Sequence, residues 1–176
     1  LFPIGPEVLF IFQFFPINQG REALKFLSNY MEHAPRELGL LSFYATLPED
    51  GNLPKIVRGR NVFVIYGVYT GPKEKYEIIL NSLKSFNTPL ADLGGPTEYV
   101  KVQKALDEDY PDGRRYYWKS VFLDELNNQI INTIHKWGIN RPSKLSTLDL
   151  WFMGGAIKDK SSEDTAFNRR DANFMV

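Results

Sequence analysis

The chain alternates between apolar runs and segments with helical spacing. Residues 8–15 (VLFIFQFF) are almost continuously apolar between Pro6 and Pro16, which predicts a buried β-strand. From residue 19 to 34 the apolar positions Ala23, Leu27, Tyr30, Met31 and Ala34 fall on one helical stripe, which Pro35 ends. Residues 41–47 alternate, with Leu41, Phe43, Ala45 and Leu47 against Ser42, Tyr44 and Thr46, so a half-buried strand is predicted. Residues 48–60 read as a turn-rich loop and residues 61–69 (NVFVIYGVY) as another strand. Thr70-Gly71-Pro72 then opens a helix to about Phe86, with its stripe at Tyr76, Ile79, Leu80, Leu83 and Phe86. The first half is therefore β-α-β-β-α.

The second half is less regular. Residues 87–96 are rich in Pro and Gly and read as irregular chain, a short helix is expected over 99–106, and 107–113 form an acidic loop with a Pro-Asp-Gly turn. Residues 115–123 predict a strand, with Asp124 as N-cap of a helix to Trp137. A strand over 145–153 stops at Gly154–Gly155, and 167–176 begins a last one. Neighbouring strand pairs such as 41–47 and 61–69 favour a mainly antiparallel sheet with helices on one face, an α+β fold with ferredoxin-like β-α-β elements.

Alternation then assigns a working face. Leu148, Leu150 and Phe152 should meet the helices, which leaves Asp149, Trp151 and Met153 on the open side. Tyr117 and Lys119, the polar set of their strand, join them, together with Ser42, Tyr44 and Thr46. An aromatic-rich open face on a globular domain marks a binding surface.

Composition narrows the chemistry. The 176 residues, taken as a single domain, are 43% hydrophobic and 24% charged, with 13 Phe, 9 Tyr and 3 Trp. Lys plus Arg and Asp plus Glu both number 21, so no net field draws the chain to nucleic acid or anionic lipid. The apolar run 8–15 is far short of the ~20 residues a spanning helix needs, so no membrane partner is expected. With no cysteine, thiol chemistry and cysteine-ligated metal are excluded. His33 and His135 sit alone on predicted helices, so no metal site is expected. Neither a Gly-x-Ser-x-Gly elbow nor a Gly-x-Gly-x-x-Gly or Walker phosphate loop occurs. The carboxylates of 107–109 and 163–164 read as solvated loop residues.

Two segments carry a family likeness: GRRYYWKSVFLDEL (113–126) and GGAIKDKSSEDTAFNRRDANF (154–174). With LFPIGP at 1–6 and the helix from Gly20, they come in the order found in berberine-bridge-enzyme-like FAD-linked oxidases, whose substrate-binding domain this chain resembles. The resemblance implies an antiparallel sheet whose open face covers a flavin and holds a small-molecule substrate. It implies oxidation of a sugar, alcohol or secondary metabolite by hydride transfer to flavin, with O2 reoxidising it. FAD would be held mainly by a preceding domain of the same polypeptide, and none is expected to stay on the isolated chain, whose cofactor-binding residues stay unassigned.

In relatives a Tyr or Glu serves as base, which makes Tyr117 and Tyr44 the catalytic candidates here, with Asp149 as a carboxylate alternative. Lys119, Asp149, Trp151 and Met153 are the substrate-binding candidates. The chain starts at Leu1 and stops at Met175–Val176 within a predicted strand, so both ends read as cut, and the isolated chain is expected to be inactive. The other reading is a free-standing ferredoxin-like ligand-binding or dimerisation module that self-associates through its open face. The compartment is left open by either reading.

Overall fold

The computed structural model describes residues 4–176. Among the described residues eight strands form one sheet: β1 (Glu7–Pro16), β2 (Leu38–Thr46), β3 (Asn61–Tyr69), β4 (Ala91–Asp92), β5 (Gly95–Glu98), β6 (Phe122–Leu123), β7 (Leu148–Phe152) and β8 (Phe174–Met175). Their order is β4-β1-β3-β2-β7-β8-β6, with β5 also on β1, and every pairing is antiparallel. The α+β class and the antiparallel sheet agree with the sequence reading. The helices are α1 (Gly20–Glu32), α2 (Tyr76–Leu83), α3 (Tyr99–Gln103) and α4 (Asn128–Ile139).

β1 and β3 read as apolar runs because both of their faces are buried, and β2, which alternates in the sequence, is covered on both faces as well. On one face Leu9, Ile11, Phe15, Phe63, Ile65 and Tyr69 pack against Ala23, Leu24 and Leu27 of α1 and Ile79 and Leu83 of α2. Ile131 and Ile134 of α4 close the same core over Leu150 and Phe152. On the other face Phe14, Val62 and Val64 are covered by Val57 and Leu53 of the 48–60 loop. Val8 and Phe10 are covered by Val102 of α3. The helices therefore do not all share a face: α3 caps the side read as open, and the uncovered part shrinks to the β7 end of the sheet.

Four local expectations change. Asn127, not Asp124, caps α4, its side-chain oxygen accepting from the Ile130 amide at 3.0 Å. The Pro/Gly-rich stretch 87–96 supplies β4 and the first half of β5, since an edge strand tolerates Pro on its free side. Of the strand predicted over 115–123, only Phe122–Leu123 is formed. The helix expected over 99–106 ends at Gln103.

Candidate functional site

β7 sits between β2 and β8, and its period-2 alternation fixes what each face carries. Leu150 and Phe152 enter the helix-side core, so Asp149 and Trp151 stand on the opposite face, as the alternation predicts. Trp151 keeps 44% of its surface exposed. Met153 follows the strand and is buried, its amide donating to the Asn173 carbonyl at 2.8 Å.

Asp149 is the most unusual group on this face. Its Oδ1 is shut off from solvent and has no hydrogen-bond partner. Burial pushes its carboxyl above the usual carboxylate range, and a hydrogen bond with Thr147 pulls the other way. A carboxylate with an idle oxygen can take a proton or accept from a hydroxyl group. Its neighbour is Tyr110, whose phenol is pushed up by burial and then by the charge of Asp149. The Tyr110 ring lies 5.6 Å from Trp118 and 5.8 Å from Tyr116, and the Tyr116 hydroxyl donates to the Pro111 carbonyl at 2.8 Å. An aromatic wall thus stands beside the carboxylate. Next to it Leu106, Asp107, Tyr110, Pro111 and Asp112 line an open groove of about 440 Å³.

Tyr117 and Lys119 lie on the segment leading to β6. Tyr117 is 83% exposed, and Lys119 Nζ stands over its ring at 5.8 Å from the centroid. They are close to each other, but no hydrogen bond, ion pair or ring contact joins them to Asp149 or Trp151.

The expectation for Tyr44 is corrected. The Ser42, Tyr44 and Thr46 set faces the helices, not the open side. Tyr44 is 1% exposed in the helix-side core, edge-on to Phe63 at 5.0 Å. Its hydroxyl pairs with His135 Nδ1 of α4 at 3.0 Å, and burial pushes its phenol far up. The pattern misleads because β2 is central and buried on both faces: Tyr44 finds a partner in the core, while the buried Ser42 hydroxyl has none. Tyr110 is the residue that sequence reasoning missed. Its only signal was a lone aromatic inside the acidic run before the Pro-Asp-Gly turn.

Among the described residues, no group of three or more His, Cys, Asp or Glu could hold a metal ion, and no helix is long and apolar enough to cross a membrane. The described glycines with positive φ, Gly51, Gly59, Gly95, Gly113 and Gly155, do not stand in a Gly-rich loop before a long helix.

No family model matches the chain. A curated FAD-linked oxidoreductase of Dictyostelium discoideum is 25% identical over 115 residues, 64% of this chain and 25% of that protein. The chain thus spans about a quarter of the length of its curated relative. Among solved structures, a berberine bridge enzyme variant superposes with a TM-score of 0.72 at 14% identity, over 99% of this chain and 36% of that one. A chitooligosaccharide oxidase gives 0.69 at 15% identity, over 99% and 38%. The glucooligosaccharide oxidase of Acremonium strictum gives 0.68 at 17% identity, over 97% and 37%. The likeness read from the motifs thus holds in sequence and in fold: the chain is similar to FAD-linked oxidoreductases of the berberine-bridge-enzyme-like kind.

Proposed function

We propose that this chain is the substrate-binding part of an FAD-dependent oxidase acting on a sugar, alcohol or secondary metabolite, and that it has no activity alone. The observation that carries this reading is the idle, buried oxygen of Asp149 on the uncovered end of the sheet, beside the Tyr110–Trp118 wall. Bound FAD would supply a hydride acceptor that O2 can reoxidise. This chain's own share is to hold the substrate and receive its proton. Asp149 accepts the hydroxyl, and its raised pKa strengthens it as a base near neutrality. Trp151 and the Tyr110–Trp118 wall offer apolar ring faces to the substrate, and Met153 backs them from below. Tyr117 is the second candidate base, with Lys119 beside it to steady a phenolate. The names of the structural relatives, oligosaccharide oxidases among them, favour a hydroxylated substrate.

Anaerobic stopped-flow on the full-length gene product tests this reading. A sugar or alcohol that bleaches the flavin should do so about 10²–10⁴-fold more slowly in Asp149→Asn, the usual worth of a general base. Flavin content should be unchanged. Equal bleaching rates would remove Asp149 from the reaction.

A further inference from the structure

Strand register lays a continuous row of side chains across the face that carries Asp149. Phe12 stands opposite Tyr66, Tyr66 opposite Leu41, and Leu41 opposite Trp151. One step along, Phe43 stands opposite Asp149. Residues directly opposite share a face. These six side chains therefore make one floor across β1, β3, β2 and β7.

The floor is poor in polar atoms. Of the side chains that these four strands send to this face, only those of Tyr66, Asp149 and Trp151 carry one. The Tyr66 hydroxyl already donates to the Val102 carbonyl at 3.2 Å. What remains is the idle Oδ1 of Asp149 and the indole N–H of Trp151, both on β7. Away from β7 the floor is rings and aliphatic chains. Phe12 and Tyr66 meet edge-on at 5.4 Å. Both lie between the cluster under the 48–60 loop and the cluster under α3, packed against each and only partly buried. Phe43 is partly buried as well.

One end of the floor can hydrogen-bond and the rest cannot. A sugar brings a hydroxyl on nearly every carbon. A hydroxyl laid over Phe43 or Phe12 gives up its water and gains no partner. An apolar body has nothing to lose there, and a flat one can join rings that already meet edge-on.

We propose that Phe43 is a specificity-determining residue, and that the floor selects an alcohol with one hydroxyl-bearing end and a flat apolar ring body. The hydroxyl sits on Asp149 Oδ1 and the rings lie over Phe43 toward Tyr66 and Phe12; this assignment rests on the substrate-binding role proposed above. Phe43 stands directly opposite Asp149, so a body leaving Oδ1 along the floor meets its ring first. Neighbouring strands lie about 4.8 Å apart, so the floor runs about 14 Å from β7 to β1, room for about two or three fused rings.

Equilibrium dialysis of the full-length gene product against 2-naphthylmethanol and against cellobiose is the test. A difference of one apolar group in a pocket is worth roughly 10–200-fold, so the naphthyl alcohol should bind at least about tenfold more tightly. Phe43→Asn should weaken its binding by about tenfold or more without weakening that of cellobiose. Phe43→Leu, which keeps the floor apolar, should retain most of it. Cellobiose binding as tight as that of the naphthyl alcohol would overturn the proposal, and that comparison needs no variant to fold. So would a naphthyl alcohol that does not bind, or that binds Phe43→Asn as well as the natural protein. Flavin bleaching separates the floor from the base. Bleaching by cellobiose alone, slowed in Asp149→Asn, would overturn the apolar floor and leave the proposed function standing. Bleaching by the naphthyl alcohol alone, equally fast in Asp149→Asn, would uphold the floor and remove Asp149 as the base.

Discussion

The Tyr44 hydroxyl on β2 sits 3.0 Å from His135 Nδ1 on α4, and two glycines make room for the ring between them. A Cβ at Gly20 would lie 2.4 Å from the Tyr44 hydroxyl, and one at Gly138 would lie 2.5 Å from the ring. Strand, α1 and α4 therefore lock around one tyrosine. Gly138→Ala gains about 1 kcal/mol in helix propensity but must displace a buried ring, and overpacking of that kind costs about 1–3 kcal/mol. The net effect should be destabilising, read as a lower urea midpoint with unchanged slope. Tyr44→Phe keeps the packing and loses one hydrogen bond, at about 1 kcal/mol.

The same pair sets a pH dependence. Burial, and then the nearby Arg21 charge, lower the His135 pKa from its ordinary 6.5. The folded state thus favours neutral imidazole. Its contribution to stability is complete above the unfolded value of 6.5 and is lost as pH falls through the lower folded value. Urea midpoints measured from pH 7.5 downward should fall more steeply for the natural chain than for His135→Gln.

Asp149 should trade stability against function. Its carboxyl is raised by burial, so the charged form is disfavoured in the folded chain. Asp149→Asn should therefore raise the thermal midpoint of the 176-residue chain at pH 7. Linkage fixes where that gain disappears: below the ordinary value of 3.8 the carboxyl is neutral in both states, and the two proteins should melt alike. A midpoint lowered at pH 7 would mean that Oδ1 has a partner.

Two tyrosines separate the exposed segment from the covered face. Tyr66 donates to the Val102 carbonyl at 3.2 Å beneath α3, while Tyr117 stands in solvent. In the full-length protein, Tyr117→Phe should slow anaerobic flavin reduction more than Tyr66→Phe, and Tyr66→Phe should lower stability more. Equal reduction rates would strike Tyr117 from the list of bases.

The long strands and main helices were legible because their patterns answer to one environment each. VLFIFQFF and NVFVIYGVY are apolar throughout since both faces are covered, and α1 shows a clean stripe because one side meets the core. What failed depended on partners out of reach of local pattern. Polar residues in a strand buried on both faces can turn inward when a histidine waits across the core, as with Tyr44. The β-rich segment 115–121 stays largely unpaired because propensity cannot supply a neighbouring strand. Asp149 was legible as to face but not as to its idle oxygen, and Tyr110 becomes meaningful only once the acidic loop is seen beside β7.

The central claim is that this chain works as part of a flavoprotein. Its most direct test is the denatured mass and visible spectrum of the native gene product purified from its source cells. A polypeptide well above 20.3 kDa that carries bound flavin is the predicted result. A colourless product of 20.3 kDa would contradict it and leave a free-standing binding module.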